Sequence, residues 1–184
     1  EKAIEYVARY LRRAVLNGLD LEARVHLALA ANYAGIGFGN AGVHIPHAVA
    51  YPIAGLVRDY VPSGYKTRQP LVPHGMSVIL TAPAAFRFTF ASEPERHLRA
   101  AELMGMRVTD LSETERREAL PRALVALMRD IGIPNGLTAI GYTEGDIPAL
   151  VEGTLRQPRL LAGAPRQVGA ADLDWILRDA MHCW

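Results

Sequence analysis

The sequence holds a single cysteine, Cys183, beside its C-terminus. One thiol forms neither an internal disulfide nor a cysteine-rich zinc site. It reads as an incidental surface thiol in a reducing compartment. An excess of either charge is also missing: 20 Lys and Arg face 19 Asp and Glu, a formal +1. No basic surplus points to nucleic acid, and no acidic run marks a charged tail. No stretch of about 18 apolar residues occurs, so no membrane-spanning helix and no membrane partner are expected. The opening EKAIEYVARYLRR is charged and amphipathic, unlike a signal peptide. Strand-like alternation of apolar and polar residues is absent as well.

What is present is helical punctuation. The chain has 184 residues, half of them hydrophobic, enough to bury roughly 70% of its unfolded surface without staples. Ile4, Val7, Ala8, Leu11, Ala14 and Val15 repeat at helical spacing, and Asn17-Gly18 ends that helix. Asp20 caps a second helix whose signal fades at Gly35, Gly37 and Gly39. A third starts near Ile45-Pro46 and runs to about Val57, because proline suits a first turn. Residues 58–72, RDYVPSGYKTRQPLV, compose a loop long enough to suggest function. PHGMSVILTAPAAFRFTF reads as a buried helix bent near Pro83. Ser92 with Glu95, and Ser112 with Glu115, form candidate capping boxes. Pro121 is expected to split or kink the helix after Ser112. Thr143 and Asp146 open a further helix, and residues 169–182 form the last. The fold class is mainly α, a helical bundle.

Residues 37–42, GFGNAG, match G-x-G-x-x-G literally. A dinucleotide fingerprint needs a strand before its turn. Here a helix precedes it, so the match is rejected. The glycines are read instead as a place where the backbone passes close to another helix or a ligand.

The stretch NAGVHIPHAVAYP carries His44, His47 and Tyr51. On a helix His47 and Tyr51 differ by about 40°, and His44 lies about 60° to the other side. Two histidines alone do not complete a catalytic metal site, which takes three or more protein ligands and an open position. A second stretch, PLVPHGMS, sets His74 between Pro73 and Gly75 where the loop enters an apolar helix. A histidine held so near a helix start is well placed as a neutral ligand. His26, His97 and His182 read as non-functional.

Together, GFGNAGVHIPHAVAYPIAG and PHGMSVILTAP resemble the iron-containing (group III) alcohol dehydrogenase family. ERHLRAAELMG and IGIPNGLTAIGYTEGDIPALVEGTL agree with that family's later helices. The resemblance covers the whole chain, residues 1–184, as a C-terminal α-helical metal-binding domain. It implies that His47 and His74 are metal ligands. Two further ligands, an Asp and a His on an earlier helix, and an N-terminal dinucleotide-binding domain would lie upstream. The missing N-cap and initiator Met at Glu1 agree with a fragment, expected to be inactive alone. Dehydroquinate synthase and glycerol dehydrogenase, which share the helical fold, match less well at these motifs.

Two departures stand out. Tyr51 occupies the second histidine of the family's H-x-x-x-H, so a histidine relay there is not carried over. A tyrosine hydroxyl offers substrate or cofactor a hydrogen bond instead. The spacer between ligands is also long. Both features resemble the hydroxyacid–oxoacid transhydrogenase branch, which implies oxidation of 4-hydroxybutyrate with 2-oxoglutarate as acceptor. The resemblance further implies Fe2+ or Zn2+, NAD or NADP through the upstream domain, a small alcohol or hydroxy acid as substrate, and a homodimer. A cytoplasmic location is expected, or the mitochondrial matrix in a eukaryote. Arg58, Lys66 and Arg68, three cations in the loop near the ligands, are candidates for meeting a substrate carboxylate. The competing reading is a free-standing helical domain that binds metal or a partner without redox chemistry.

Overall fold

The computed structural model describes all residues from Glu1 to Trp184. It contains α-helices, short 3-10 turns and no strand. In chain order the helices are α1 (Lys2–Leu16), α2 (Leu21–Ala41), α3 (Ile45–Gly55), α4 (His74–Ile79), α5 (Ala82–Thr89), α6 (Pro94–Leu103), α7 (Glu113–Asp130), α8 (Ile147–Leu155), α9 (Pro158–Leu161) and α10 (Ala170–Asp179). They divide into two compact units that interleave along the chain. One comprises residues 1–42 and 90–133, the other residues 43–89 and 134–184.

The first unit holds α1, α2, α6 and α7. Asp20 caps α2 by accepting the Ala23 N–H at 3.0 Å, and it also takes the Arg13 guanidinium. That pairs the end of α1 with the start of α2. Tyr10 is buried and stacks on His26, ring centres 4.2 Å apart, while Tyr6 meets the same imidazole edge-on at 5.0 Å. His26 is therefore a packing residue. Ser112 and Glu115 form the expected capping box of α7. The α6–α7 pair buries Leu98, Ala101, Leu120 and Leu127.

Several local expectations are corrected. Gly35, Gly37 and Gly39 do not end α2, which continues to Ala41 and stops at Gly42, where φ is +77°. An interior glycine costs about 1 kcal/mol against alanine but does not forbid a helix. A Cβ at any of those three positions meets nothing within 4 Å, so the chain makes no close approach there. The G-x-G-x-x-G match thus lies in and at the end of a helix, not in a strand-to-helix turn. The Ser92–Glu95 box does not form, because Glu93 is the N-cap and Pro94 starts α6 one residue later. Glu95 instead pairs with Arg116 on α7 at 2.8 Å. Pro121 leaves α7 unbroken; burial of Leu120, Pro121 and Ala123 outweighs one lost backbone bond. The bend expected near Pro83 falls at Leu80-Thr81 instead, with Pro83 in the first turn of α5.

From Leu27 onward helix α2 is apolar on nearly every side. Ala23 and Ala30 are buried, while Leu21, Ile36 and Phe38 are 72%, 63% and 53% exposed. A helix hydrophobic all round normally sits in an interior.

The second unit is built around α3. Ile45, Val49 and Ile53 are buried against a core that includes Leu80, Ile147, Leu150 and Leu177. Close approach does occur here. A Cβ built at Gly153 of α8 stands 2.6 Å from Cβ of Pro52 on α3. Near the C-terminus the Asn135 side chain accepts the N–H groups of Cys183 and Trp184. Cys183 is not a surface thiol: it is half-buried, and burial pushes its pKa up to about 11. His97, in the first unit, is buried too, with its ring nitrogen 2.8 Å from the Glu93 carbonyl oxygen.

An alanine at an open helical glycine stabilises by up to about 1 kcal/mol. At Gly153 the sign reverses, because the methyl group has no room beside Pro52. Gly153→Ala is expected to cost about 1–3 kcal/mol, as overpacking does, and to lower Tm by several degrees in a thermal melt. An unchanged or raised Tm contradicts the close approach.

Candidate metal centre

Helix α3 places its side chains selectively. Pro46 lies in its first turn, and both His47 and Ala48 donate their N–H groups to the carbonyl of His44. His44 is the N-cap, with φ −134° and ψ −142°, so it stands outside the helical face. Its ring meets Phe86 edge-on, centres 6.1 Å apart. Of the three rings seen in the sequence, only His47 and Tyr51 share the helix. Ile45, Pro46, Ala48, Val49, Ala50, Pro52 and Ile53 are all buried, which leaves His47 half-buried and Tyr51 exposed.

Helix α4 delivers the second imidazole. Pro73 is its N-cap and His74 its first residue. The Ser77 N–H donates to the Pro73 carbonyl at 2.9 Å. The Ser77 hydroxyl, on a buried residue, donates to the His74 carbonyl at 2.8 Å. The backbone at His74 is therefore tied on both sides while its side chain stays exposed.

These two elements bring His47 and His74 together. Their ring centres are 5.4 Å apart and the planes are tilted by 57°. Two imidazoles that each place a nitrogen about 2.1 Å from one ion at a near-tetrahedral angle have centres roughly 5 Å apart. The spacing of the two ring centres is compatible with a shared divalent ion. Burial, and then the neighbouring charge of His74, lowers the His47 pKa from its usual value. His47 is thereby kept in the neutral form that ligates. No group of three or more His, Cys, Asp or Glu gathers at this or any other point in the chain. His47 and His74 are the two candidate donors in this chain.

The other candidates separate. Tyr51 stands one turn beyond His47 and lines a cleft of about 360 Å3 with Pro52, Leu56, Glu152, Gly153 and Arg156. The loop cations do not act alike. Arg58 grips Asp146 through two nitrogens, at 2.6 and 2.9 Å, and donates to the Gly141 carbonyl at 2.9 Å. Its guanidinium lies over the Tyr142 ring, 5.7 Å from the centre. Arg58 is thus committed to an internal ion pair, not presented as a free cation. Lys66 and Arg68 are exposed on the same loop.

Asp146 and Tyr142 were not singled out as site residues from the sequence. Asp146 also accepts the Thr143 N–H and hydroxyl at 2.8 and 2.9 Å. Arg58 and these bonds hold its carboxyl well below the usual carboxylate range. Tyr142 is 2% exposed and donates its hydroxyl to the Ile53 carbonyl of α3 at 2.7 Å. Only the Thr143–Asp146 cap had left a local signal in the sequence.

Residues 1–181 match the family described as Fe-containing alcohol dehydrogenase family, C-terminal. The chain belongs to the Fe-containing alcohol dehydrogenase family. It is 47% identical over 182 residues to the mitochondrial hydroxyacid-oxoacid transhydrogenase of Rattus norvegicus, covering 99% of this chain and 39% of that protein. It is 45% identical to the probable mitochondrial hydroxyacid-oxoacid transhydrogenase of Dictyostelium discoideum, covering 98% of this chain and 33% of that one. Among solved structures, an alcohol dehydrogenase from Oenococcus oeni superposes with a TM-score of 0.85 at 29% identity, over 97% of this chain and 43% of that one. A 1,3-propanediol oxidoreductase does so with 0.84 at 33% identity, over the same shares. The chain thus spans about two-fifths of such Fe-containing alcohol dehydrogenases. Membership implies iron and a nicotinamide cofactor for the family. No helix here is long and apolar enough to cross a membrane.

Burial pushes Tyr142 up to about 12, against an ordinary 10.0. A raised folded-state pKa gives stability that is complete below pH 10 and lost as pH rises toward 12. Tyr142→Phe is expected to lose about 1–3 kcal/mol at neutral pH, because the Ile53 carbonyl is left buried without its partner. It should also show a shallower alkaline decline. Denaturant midpoints from pH 8 to 11.5 test both parts, and parallel curves for parent and variant would contradict the second.

Proposed function

We propose that this chain is the C-terminal helical, metal-binding part of a longer oxidoreductase. That enzyme moves a hydride between an alcohol or hydroxy acid and a nicotinamide or oxoacid acceptor. The observation that carries the reading is the His47–His74 pair, 27 positions apart in sequence and 5.4 Å apart between ring centres. The remaining ligands and the dinucleotide-binding domain lie in sequence outside these 184 residues. Fe2+ is the ion the family implies, and Zn2+ also suits such donors. When bound, a divalent ion supplies Lewis-acid polarisation of the alcohol or carbonyl oxygen.

The chain's own residues have separable parts in this reading. His47 presents a neutral imidazole at physiological pH, since burial disfavours its cation. His74 presents the second imidazole from a backbone fixed by Pro73 and Ser77. Tyr51, one turn from His47 and beside the α3–α8 cleft, offers a hydroxyl to substrate or cofactor. Lys66 and Arg68 are the loop cations left to meet a substrate carboxylate, with Arg58 already paired. A short hydroxy acid such as 4-hydroxybutyrate is the substrate class that needs such a cation. The relatives named above are mitochondrial by name, which supports the matrix if the source is a eukaryote and the cytoplasm otherwise.

In the intact protein, His47→Ala and His74→Ala should each reduce bound metal from stoichiometric to a small fraction and abolish hydroxy-acid oxidation. Metal analysis and dehydrogenase assays read the two effects separately. Retention of full metal content in either variant refutes the ligand assignment. For the loop, Lys66→Ala and Arg68→Ala together should raise KM for a hydroxy acid severalfold and leave KM for an uncharged alcohol unchanged. Unchanged kcat/KM for the hydroxy acid removes these cations from the site.

A further inference from the structure

We propose that Asp146 is a positioning residue of the His47–His74 pair, acting through Arg58 and Tyr142. This rests on the metal-ligand reading above.

Helix α3 carries His47 but is weakly secured by its own backbone. Pro52, inside it, has no N–H to complete the ladder. Ile53 lies in the last turn, where carbonyls lack intrahelical donors. The Tyr142 hydroxyl supplies the missing donor, at 2.7 Å. Tyr142 belongs to the turn between Gly141, at φ +91°, and Asp146. One carboxylate organises that turn: Asp146 accepts the Thr143 N–H and hydroxyl on the oxygen that also takes an Arg58 nitrogen. Its other oxygen takes the second Arg58 nitrogen.

Arg58 stands three residues past the end of α3, at the start of the connection to α4. Two residues on, Tyr60 makes the next fixed point. Its carbonyl accepts the Leu71 N–H at 2.8 Å, and its hydroxyl donates to the Met76 sulfur of α4 at 3.5 Å. Asp146, Arg58 and Tyr60 thus form a strap joining the end of the His47 helix to the His74 helix. The middle of the connection has only local bonds, Tyr65 to Pro62 and Gln69 to Thr67. An exposed ion pair ordinarily contributes little to global stability. A bidentate one on a four-bonded carboxylate specifies geometry, and the geometry here is the spacing of two metal donors.

The test uses the intact protein, stripped of metal by chelation and titrated with Co2+, whose visible absorption reports coordination geometry. Asp146→Asn and Arg58→Met should each raise the Co2+ Kd about tenfold or more, the size seen for residues that orient metal ligands. The Co2+ absorption band should shift, and Tm should stay within a few degrees of the parent. The double variant should be no worse than the poorer single one, because both remove the same strap. Arg58→Lys, which keeps the charge but not the fork, should recover part of the loss. An unchanged Co2+ Kd and spectrum in Arg58→Met overturns the inference, as does a loss that simply adds in the double variant. His47→Ala and His74→Ala, run alongside, separate the two levels. If they abolish Co2+ binding while Asp146→Asn and Arg58→Met do not change it, the strap fails and the ligand reading stands. If they bind Co2+ like the parent, both fail.

Discussion

The second unit depends on the burial of most of one helix. Seven of the eleven residues of α3 are buried, so neither rotation nor sliding is open to it without exposing Ile45, Val49 or Ile53. Each fully buried side chain of that kind is worth about 1.5–3 kcal/mol. That constraint settles which way the remaining polar side chains point. His47 ends half-buried, which lowers its pKa, and Tyr51 ends at the cleft. The candidate chemistry is what is left over after α3 has been packed.

The close fit of α3 also explains where small residues matter. The glycines that look functional, Gly35, Gly37 and Gly39, face open space within this chain. Gly153 in α8 is the one pressed against Pro52. Gly163 is similar, since a Cβ there would meet the Val43 carbonyl oxygen at 2.8 Å, just ahead of the His44 cap. Glycine-rich text and glycine-dependent packing are different things, and here they fall in different places.

Much of the fold was legible because helices announce themselves locally. Apolar spacing marked α1, Asp20 marked the start of α2, and Ser112 with Glu115 marked α7. Two corrections are local rules overruled by packing or by a neighbouring proline, Pro121 accepted inside α7 and Pro94 displacing the Ser92 cap, while the glycines of α2 cost too little to end it. The histidine pair was legible only through two family motifs read together, since nothing in the loop between them encodes a distance. The Arg58–Asp146 pair was not legible at all. Its partners stand 88 positions apart, and neither carries any mark of the other in the sequence around it. Arg58, a cation in the loop between the two histidines, pairs with a carboxylate that the loop itself does not announce.

The interleaving of the two units has a consequence for synthesis. Each unit is closed by sequence from the second half of the chain. As the chain leaves the ribosome, residues 43–89 bring out both histidines well before Tyr142 and Asp146 exist. The apolar face of α3 waits through that interval for α8, the situation in which nascent chains rely on chaperones. Neither unit can be cut out as a single continuous segment without carrying part of the other, and a single cut inside residues 43–133 breaks both cores.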